Sequence, residues 1–152
     1  QVPGFSLDAA AFGSVVFACA AGSRWEKCLE LLHATGIDQP EVSAYNAGLG
    51  ALSAAGFWRK AINLLSSMES RMVRPNLVSF NSALDACSLA RQPGAWTGAL
   101  HLLEGLRQSN FHPDEFSYCF AFDAFELASC SEPALPRALA ACRVLQEVLL
   151  QR

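Results

Sequence analysis

The chain has 152 residues, of which 52% are hydrophobic and 16% are charged, and its formal net charge is −3. This composition supplies enough apolar side chains for a packed core and excludes an intrinsically disordered chain. The negative net charge argues against a general phosphate-binding surface, so any nucleic-acid site has to be local.

Apolar residues recur at spacings of three and four in paired segments, which predicts helical hairpins. The segments of a pair are separated by breakers at Gly22, Gly56 and Pro93-Gly94. Ser23 followed by Glu26 predicts a capping box at the start of one second helix. First helices are predicted at about 7–21, 42–55, 77–90 and 115–128, and second helices at about 24–34, 58–70, 95–108 and 137–150.

The longest uncharged run, from Val42 to Trp58, is interrupted by serine, asparagine and glycine. It also falls short of the roughly 20 apolar residues that a membrane-spanning helix needs. We therefore expect no membrane span.

The two central hairpins share one sequence pattern. Tyr45-Asn46 corresponds to Phe80-Asn81, and Pro75-Asn76 corresponds to Pro113-Asp114. The prolines at 40, 75 and 113 are spaced by 35 and 38 residues, and the extra three fall in the turn at 91–94. Because one hairpin cannot bury its apolar face alone, the pattern predicts a single all-α domain over 1–152. Its architecture would be a short right-handed α-solenoid of about four helix-turn-helix hairpins, with repeats at about 6–41, 42–76, 77–114 and 115–152.

This pattern resembles the pentatricopeptide repeat family. The resemblance depends on the 35-residue spacing, the Tyr/Phe-Asn opening, the Ala-(Ile/Leu)-x-Leu-Leu second helix and the Pro-Asn/Asp close. It is strong over 42–114 and weaker in the flanks. Members of this family usually bind single-stranded RNA in plastids or mitochondria, one base per repeat. The resemblance therefore implies a non-catalytic, organellar binding module.

The resemblance also implies which residues would contact RNA. Asn46 with Asn76 would form a pyrimidine-tolerant base-reading pair, and Asn81 with Asp114 would form a uracil-reading pair. The base-stacking positions correspond to Ser43, Val78 and Phe116, of which Val78 and Phe116 make a good sandwich. The outer repeats supply Phe12 with Glu41, and Cys119 without a partner. The alternative is that Asn46 and Asn81 only form hydrogen bonds within the fold.

Electrostatics favours a different function. The predicted first helices contain no Lys or Arg, and the usual phosphate-contacting Lys is replaced by Ala20, Ala54, Leu89 and Leu127. Two clamped bases would contribute about 2 to 6 kcal/mol, short of the roughly 8.2 kcal/mol of micromolar binding. We therefore rank a scaffold that contacts protein subunits of a larger, organellar assembly ahead of pyrimidine- or uracil-preferring RNA binding.

No motif indicates catalysis, so we predict that the chain is not an enzyme. His33, His101 and His112 fall in different hairpins, and no nucleophile elbow or phosphate loop is present. We expect no catalytic, metal-binding or cofactor-binding residue. The six cysteines form no C-x-x-C pair, which indicates a reducing compartment. The start at Gln1 without a signal-peptide pattern indicates a processed or partial piece.

Overall fold

A computed structural model describes residues 9–33, 41–90 and 92–127. Within these ranges the chain forms seven α-helices and no strand, which confirms the predicted all-α fold. The helix ends agree with the predicted ones to within two residues. The second helix predicted at 137–150 lies outside the described residues, so the division of 1–152 into four repeats stays a prediction. The helices are α1 (Ala9–Ala21), α2 (Trp25–His33), α3 (Val42–Ala54), α4 (Trp58–Ser70), α5 (Leu77–Leu89), α6 (Ala95–Gln108) and α7 (Glu115–Leu127).

The helices form two layers. The first helices of the hairpins, α1, α3, α5 and α7, pack side by side and form the first-helix layer. The second helices, α2, α4 and α6, form the second-helix layer, and each contacts the first helix of its own hairpin and of the next. This arrangement is the stacked hairpin solenoid that the repeat predicts. No helix within the described ranges has both the length and the apolar character needed to cross a membrane.

Small side chains allow the first helices to approach one another closely. On α5 the buried positions include Ala83, Ala86, Cys87 and Ser88. Larger side chains fill the space between the layers, where Tyr45 and Phe80 are buried near the starts of α3 and α5. Because packing on two sides leaves little room, Ala, Ser, Gly and Cys are frequent in α3 and α5.

Close packing of α4 against α6 depends on Gly98. A Cβ atom at this position would lie 2.8 Å from both Cε3 and Cζ3 of the Trp58 ring, and 3.2 Å from Ile62 Cδ1. The indole ring of Trp58 therefore occupies the space that a side chain at position 98 would need. Trp58 is buried, as expected for an aromatic residue at the start of a second helix.

The turn within each hairpin requires a residue with positive φ. Gly56 has φ 69° in the second hairpin, and Ser23 occupies the same place in the first with φ 56°. The predicted capping box from Ser23 to Glu26 is therefore wrong. The first helical bond of α2 runs from Cys28 N to Arg24 O at 3.2 Å, so Arg24 precedes the helix and Ser23 belongs to the turn.

Candidate nucleic-acid interface

Asn76 and Asp114 cap the N-termini of two neighbouring first helices. Oδ1 of Asn76 accepts a hydrogen bond from Ser79 N at 3.0 Å, and Asn76 N donates to Ser79 Oγ at 3.2 Å. Asp114 repeats this geometry with Ser117, at 2.9 and 3.2 Å. These reciprocal capping bonds fix both side chains at the edge of the first-helix layer.

Each cap also contacts an asparagine of the preceding first helix. Asn46 Nδ2 donates to Asn76 Oδ1 at 3.4 Å, and Ser79 Oγ donates to Asn46 Oδ1 at 2.6 Å. We call Asn46, Asn76 and Ser79 the first polar cluster. Both members of the first predicted reading pair are thus adjacent in space, although they are 30 residues apart in the chain.

The second polar cluster, Asn81, Asp114 and Ser117, repeats the arrangement one hairpin further on. Asn81 Nδ2 donates to Oδ1 and Oδ2 of Asp114 at 3.1 and 3.2 Å, and Ser117 Oγ donates to Asn81 Oδ1 at 2.7 Å. The hydrogen bonds that the alternative interpretation expected are therefore present in both clusters. All four reading residues are nevertheless only half-buried, so part of each side chain faces solvent.

The donors and acceptors of the first cluster are fixed by a backbone group. Since Ser79 N–H can only donate, the atom of Asn76 that faces it has to be the carbonyl oxygen, and Nδ2 of Asn76 points away. The same oxygen faces Asn46, which therefore presents Nδ2 to it. After these internal bonds, the outward groups of the first cluster are N–H donors of Asn46 and Asn76.

The second cluster presents a different pattern because a carboxylate replaces one amide. Asp114 Oδ1 accepts from Ser117 N and Asn81 Nδ2 and lies 2.8 Å from Ser117 Oγ, whereas Oδ2 accepts only from Asn81 among the bonds of this cluster. Oδ2 therefore keeps acceptor capacity, and Asn81 keeps its second N–H. One donor and one acceptor face outward.

The Asp114 carboxyl is held in its ionised form. Partial burial pushes its pKa up, but hydrogen bonds from Ser117 and Asn81 outweigh this effect and hold the pKa below its usual value of 3.8. The acceptor at Oδ2 is therefore present at neutral pH.

Exposed apolar side chains flank the second cluster. Val78 on α5 is 57% exposed and Phe116 on α7 is 64% exposed. Val78 precedes Asn81 by three residues, a spacing that places both on one face of the helix. At the equivalent position on α3, Ser43 is exposed and donates to Glu41 Oε2 at 3.0 Å. The first cluster therefore has an apolar neighbour on one side only.

The first hairpin does not supply the reading residue expected of it. Helix α1 ends at Ala21 and α3 at Ala54, and α2 and α4 open at Trp25 and Trp58, a constant spacing of 33 residues. By this spacing, Phe12 is the residue of the first hairpin equivalent to Tyr45, and Gly13 is equivalent to Asn46. Phe12 is only 2% exposed, so its assignment to the reading position is wrong. In the fourth hairpin, Cys119 is exposed.

The comparisons with known proteins agree with this architecture. Residues 40–88 match the model of the PPR repeat family, and they cover α3, α4 and most of α5. The crystal structure of the pentatricopeptide repeat protein PPR10 in complex with an 18-nt psaJ RNA element is similar to this chain with a TM-score of 0.65 and 29% sequence identity. The chain is therefore similar to pentatricopeptide repeat proteins in sequence over 40–88 and in fold.

A second PPR10 structure, a triple cysteine-to-serine variant with the same RNA element, is similar to the same degree. Both matches cover 93% of this chain and 20% of PPR10, so the chain spans about a fifth of the length of that protein. No curated protein sequence is significantly similar to the chain. The two polar clusters thus join consecutive helical hairpins of this solenoid.

The first-helix layer carries acidic side chains. Asp85, Glu115, Asp123 and Glu126 lie on α5 and α7, whereas no Lys or Arg occurs in the four described first helices. Asp85 also accepts a hydrogen bond from Ser53 Oγ on α3. This second type of link between neighbouring first helices was not predicted.

Several basic side chains of the second-helix side are engaged in contacts within the fold. Lys27 Nζ lies 2.6 Å from Glu30 Oε2, and Arg71 donates to His33 O at 3.1 Å. Lys60 Nζ lies 3.6 Å from the centroid of the Trp25 ring. These three cations thus contact residues of α2.

An apolar groove lies between α1 and α3, with a volume of about 580 Å³. Phe17, which is 68% exposed, forms one side of it. Its floor consists of small residues on α3, including Ala47, Gly50 and Ala54, and Asn46 lies at its border. The groove thus adjoins the first polar cluster. This groove could not be predicted from the sequence, because Phe17 follows the same apolar pattern as the buried residues of α1.

The described part of the chain contains no group of three or more His, Cys, Asp or Glu side chains close enough to hold a metal ion. Its cysteines, Cys19, Cys28, Cys87 and Cys119, are unpaired thiols. Burial raises the pKa of the Cys87 thiol to about 12, so this residue is unreactive at neutral pH.

Proposed function

We propose that this chain binds single-stranded RNA along its first-helix layer, with two adjacent pyrimidines at the first and second polar clusters. The observation that carries the proposal is the set of outward donors and acceptors that each cluster keeps after its internal hydrogen bonds. The likeness to PPR10, whose structure contains an RNA element, supports it.

The second cluster complements uracil. Asp114 Oδ2 can accept from the N3–H group of uracil, and the outward N–H of Asn81 can donate to a uracil carbonyl oxygen. Cytosine carries an acceptor at N3, which would face the carboxylate and be repelled. Val78 and Phe116 would cover the two faces of the base.

The first cluster complements cytosine better than uracil. Asn46 and Asn76 both present N–H donors, which match the acceptors N3 and O2 of cytosine. The N3–H group of uracil would face a donor. With Ser43 as one of the flanking residues, this base would be held less firmly than the base at the second cluster.

The affinity should be modest. Two held bases contribute about 2 to 6 kcal/mol, and the described first helices offer no cation to a phosphate. We expect a dissociation constant above about 1 µM for a short strand, because that value requires roughly 8.2 kcal/mol. We propose a binding role without catalysis and, from the resemblance to the pentatricopeptide repeat family alone, a plastid or mitochondrial location.

The affinity of the chain for oligoadenosine strands of about 12 nucleotides tests the proposal. Strands of that length include the few bases that the repeats can read. The two central positions would be CU, UC, CC, UU or AA, and affinity would be measured by fluorescence anisotropy at low salt. We expect either the CU or the UC strand to bind best. Both orders are tested because the direction of the strand along the layer decides which base meets which cluster. Equal affinity for all five strands would contradict the proposal.

A protein-interaction scaffold remains the second candidate, because the same layer exposes apolar side chains beside acidic ones. Phe17 and Leu89 are exposed, and Asp85 lies between Leu89 and Val78 on α5. Such a face suits contact with protein subunits. If this function applies, Phe17→Ser should release the chain from a larger native assembly, as seen by its sedimentation, while RNA affinity stays unchanged. Co-migration of the variant with the assembly would count against the scaffold.

A further inference from the structure

The hydroxyl group of Ser79 lies where two repeats meet and contacts both residues of the preceding reading pair. Ser79 is 0% exposed. Its Oγ lies 2.6 Å from Asn46 Oδ1 and 3.0 Å from Asn76 Oδ1, and it accepts from Asn76 N at 3.2 Å. A hydroxyl group has one proton, and the shorter contact directs that proton to Asn46.

The orientation of the Asn46 amide depends mainly on this bond. The other bond that orients it, from Nδ2 to Asn76 Oδ1, is 3.4 Å long, beyond the usual range. Asn76 Oδ1 also accepts from the backbone N–H group of Ser79. Turning the Asn46 amide by 180° would exchange its oxygen and nitrogen, and the Ser79 hydroxyl is the strongest contact that opposes this turn.

The second cluster is built differently. There the Asn81 amide donates to two carboxylate oxygens at 3.1 and 3.2 Å, and a carboxylate can only accept. Ser117 Oγ makes the equivalent contact to Asn81 at 2.7 Å, but Asp114 alone is sufficient to keep Nδ2 inward. The Ser117 hydroxyl is therefore redundant for orienting the amide.

We infer that Ser79 is a specificity-determining, positioning residue whose hydroxyl group fixes which base the preceding repeat accepts. This inference rests on the proposed function. Without the hydroxyl group, Asn46 turns its oxygen outward in part of the molecules, and that oxygen accepts from the N3–H group of uracil. The site then no longer prefers cytosine.

Ser79→Ala and Ser117→Ala form a matched pair of test variants. Each removes a buried hydroxyl group from the N-terminus of a first helix and keeps the cap formed by the backbone N–H. With the five strands described above, we expect a cytosine preference at the first cluster of about tenfold, as for one good pair of base contacts. Ser79→Ala should abolish this preference, so that cytosine and uracil bind with an affinity ratio of about one. Ser79→Thr, which retains the hydroxyl group, should keep the cytosine preference.

Ser117→Ala should leave the uracil preference of the second cluster unchanged. The inference is overturned if Ser79→Ala keeps the cytosine preference, or if Ser117→Ala reduces selectivity as strongly as Ser79→Ala does. A loss of affinity for all strands alike would show a structural role only, and would also overturn it.

Failure of the proposed RNA binding can be distinguished from failure of the positioning role of Ser79. If the wild-type chain binds none of the strands, RNA binding is wrong, and side-chain amide NMR signals of the free chain still test the positioning role. We expect faster solvent exchange of the Asn46 amide protons in Ser79→Ala than in the wild type. No such change is expected for the Asn81 amide in Ser117→Ala, and equal behaviour of the two amides would overturn the positioning role.

Discussion

The side-chain amide of Asn81 donates to both carboxylate oxygens of Asp114, although the two residues are 33 positions apart in the chain. The carboxylate also accepts from the backbone N–H group of Ser117, and this bond goes to Oδ1, so Oδ2 keeps acceptor capacity. Chemical identity at position 114 therefore decides whether the second cluster offers an acceptor or a donor to a base.

Asp114→Asn should convert the second cluster to the composition of the first. The outward acceptor becomes an N–H group, so the preference at this position should change from uracil to cytosine by about tenfold or more, given 1 to 3 kcal/mol per base contact. The ratio of affinities for strands with U or C at this position measures the change. Asn81→Ala is the control, since it should weaken both strands. An unchanged uracil preference in Asp114→Asn would refute the assigned role.

The stability of the fold should fall in acid partly through Asp114. Its pKa in the folded chain is lowered, so its contribution is complete above the unfolded pKa of about 3.9 and is lost as pH falls through the folded pKa. Urea unfolding at a series of pH values would measure this loss. Asp114→Asn, which keeps the cap but cannot ionise, should lack this component. A carboxyl titration by NMR with a midpoint above 3.8 would contradict the prediction.

Lysine at exposed positions of the first-helix layer should raise RNA affinity. Ala54 and Leu89 are exposed at the places where the family has a phosphate-contacting Lys. We expect Ala54→Lys and Leu89→Lys to bind more tightly, and each to steepen the dependence of log affinity on log salt by roughly 0.7. Asn63→Lys adds the same charge on α4, in the second-helix layer, and should change the slope much less. Equal gains in all three variants would mean that charge acts without regard to the site.

Two glycine substitutions should have opposite effects on stability. Gly98→Ala forces a methyl group against the Trp58 ring at 2.8 Å and should cost about 1 to 3 kcal/mol of unfolding free energy. Gly50→Ala has nothing within 4 Å of the new methyl group and should stabilise α3 by up to about 1 kcal/mol. Thermal unfolding of both variants measures the difference. A Gly98→Ala variant as stable as the wild type would mean that α6 can move away from Trp58 at little cost.

The reading pairs could be predicted from the sequence because the central repeats keep one register. Once Tyr45-Asn46 is aligned with Phe80-Asn81, both pairs follow, and the structure brings their members together. The first hairpin follows a different register, because Phe12 precedes Asn46 by 34 residues whereas Trp25 precedes Trp58 by 33. The 33-residue spacing of Trp25 and Trp58 was visible in the sequence and would have placed Phe12 opposite Tyr45.

The full role of the serine hydroxyl groups could not be predicted from the sequence. An Asn or Asp followed three residues later by Ser indicates a local cap, and both capping pairs do form. That Ser79 also reaches Asn46, 33 residues earlier, depends on how closely α3 and α5 pack. The distance between α3 and α5 depends on the small residues of both helices together, and no local sequence pattern predicts it.

Each polar cluster crosses the boundary at which a repeat protein is usually divided. Asn46 comes from one hairpin, while Asn76 and Ser79 come from the loop and first turn of the next helix. A chimera joined at the loop before Asn76 would combine an amide from one parent with a hydroxyl group from another. The smallest segment that can be exchanged without mixing is therefore the one from Asn46 to Ser79, which begins and ends inside helices.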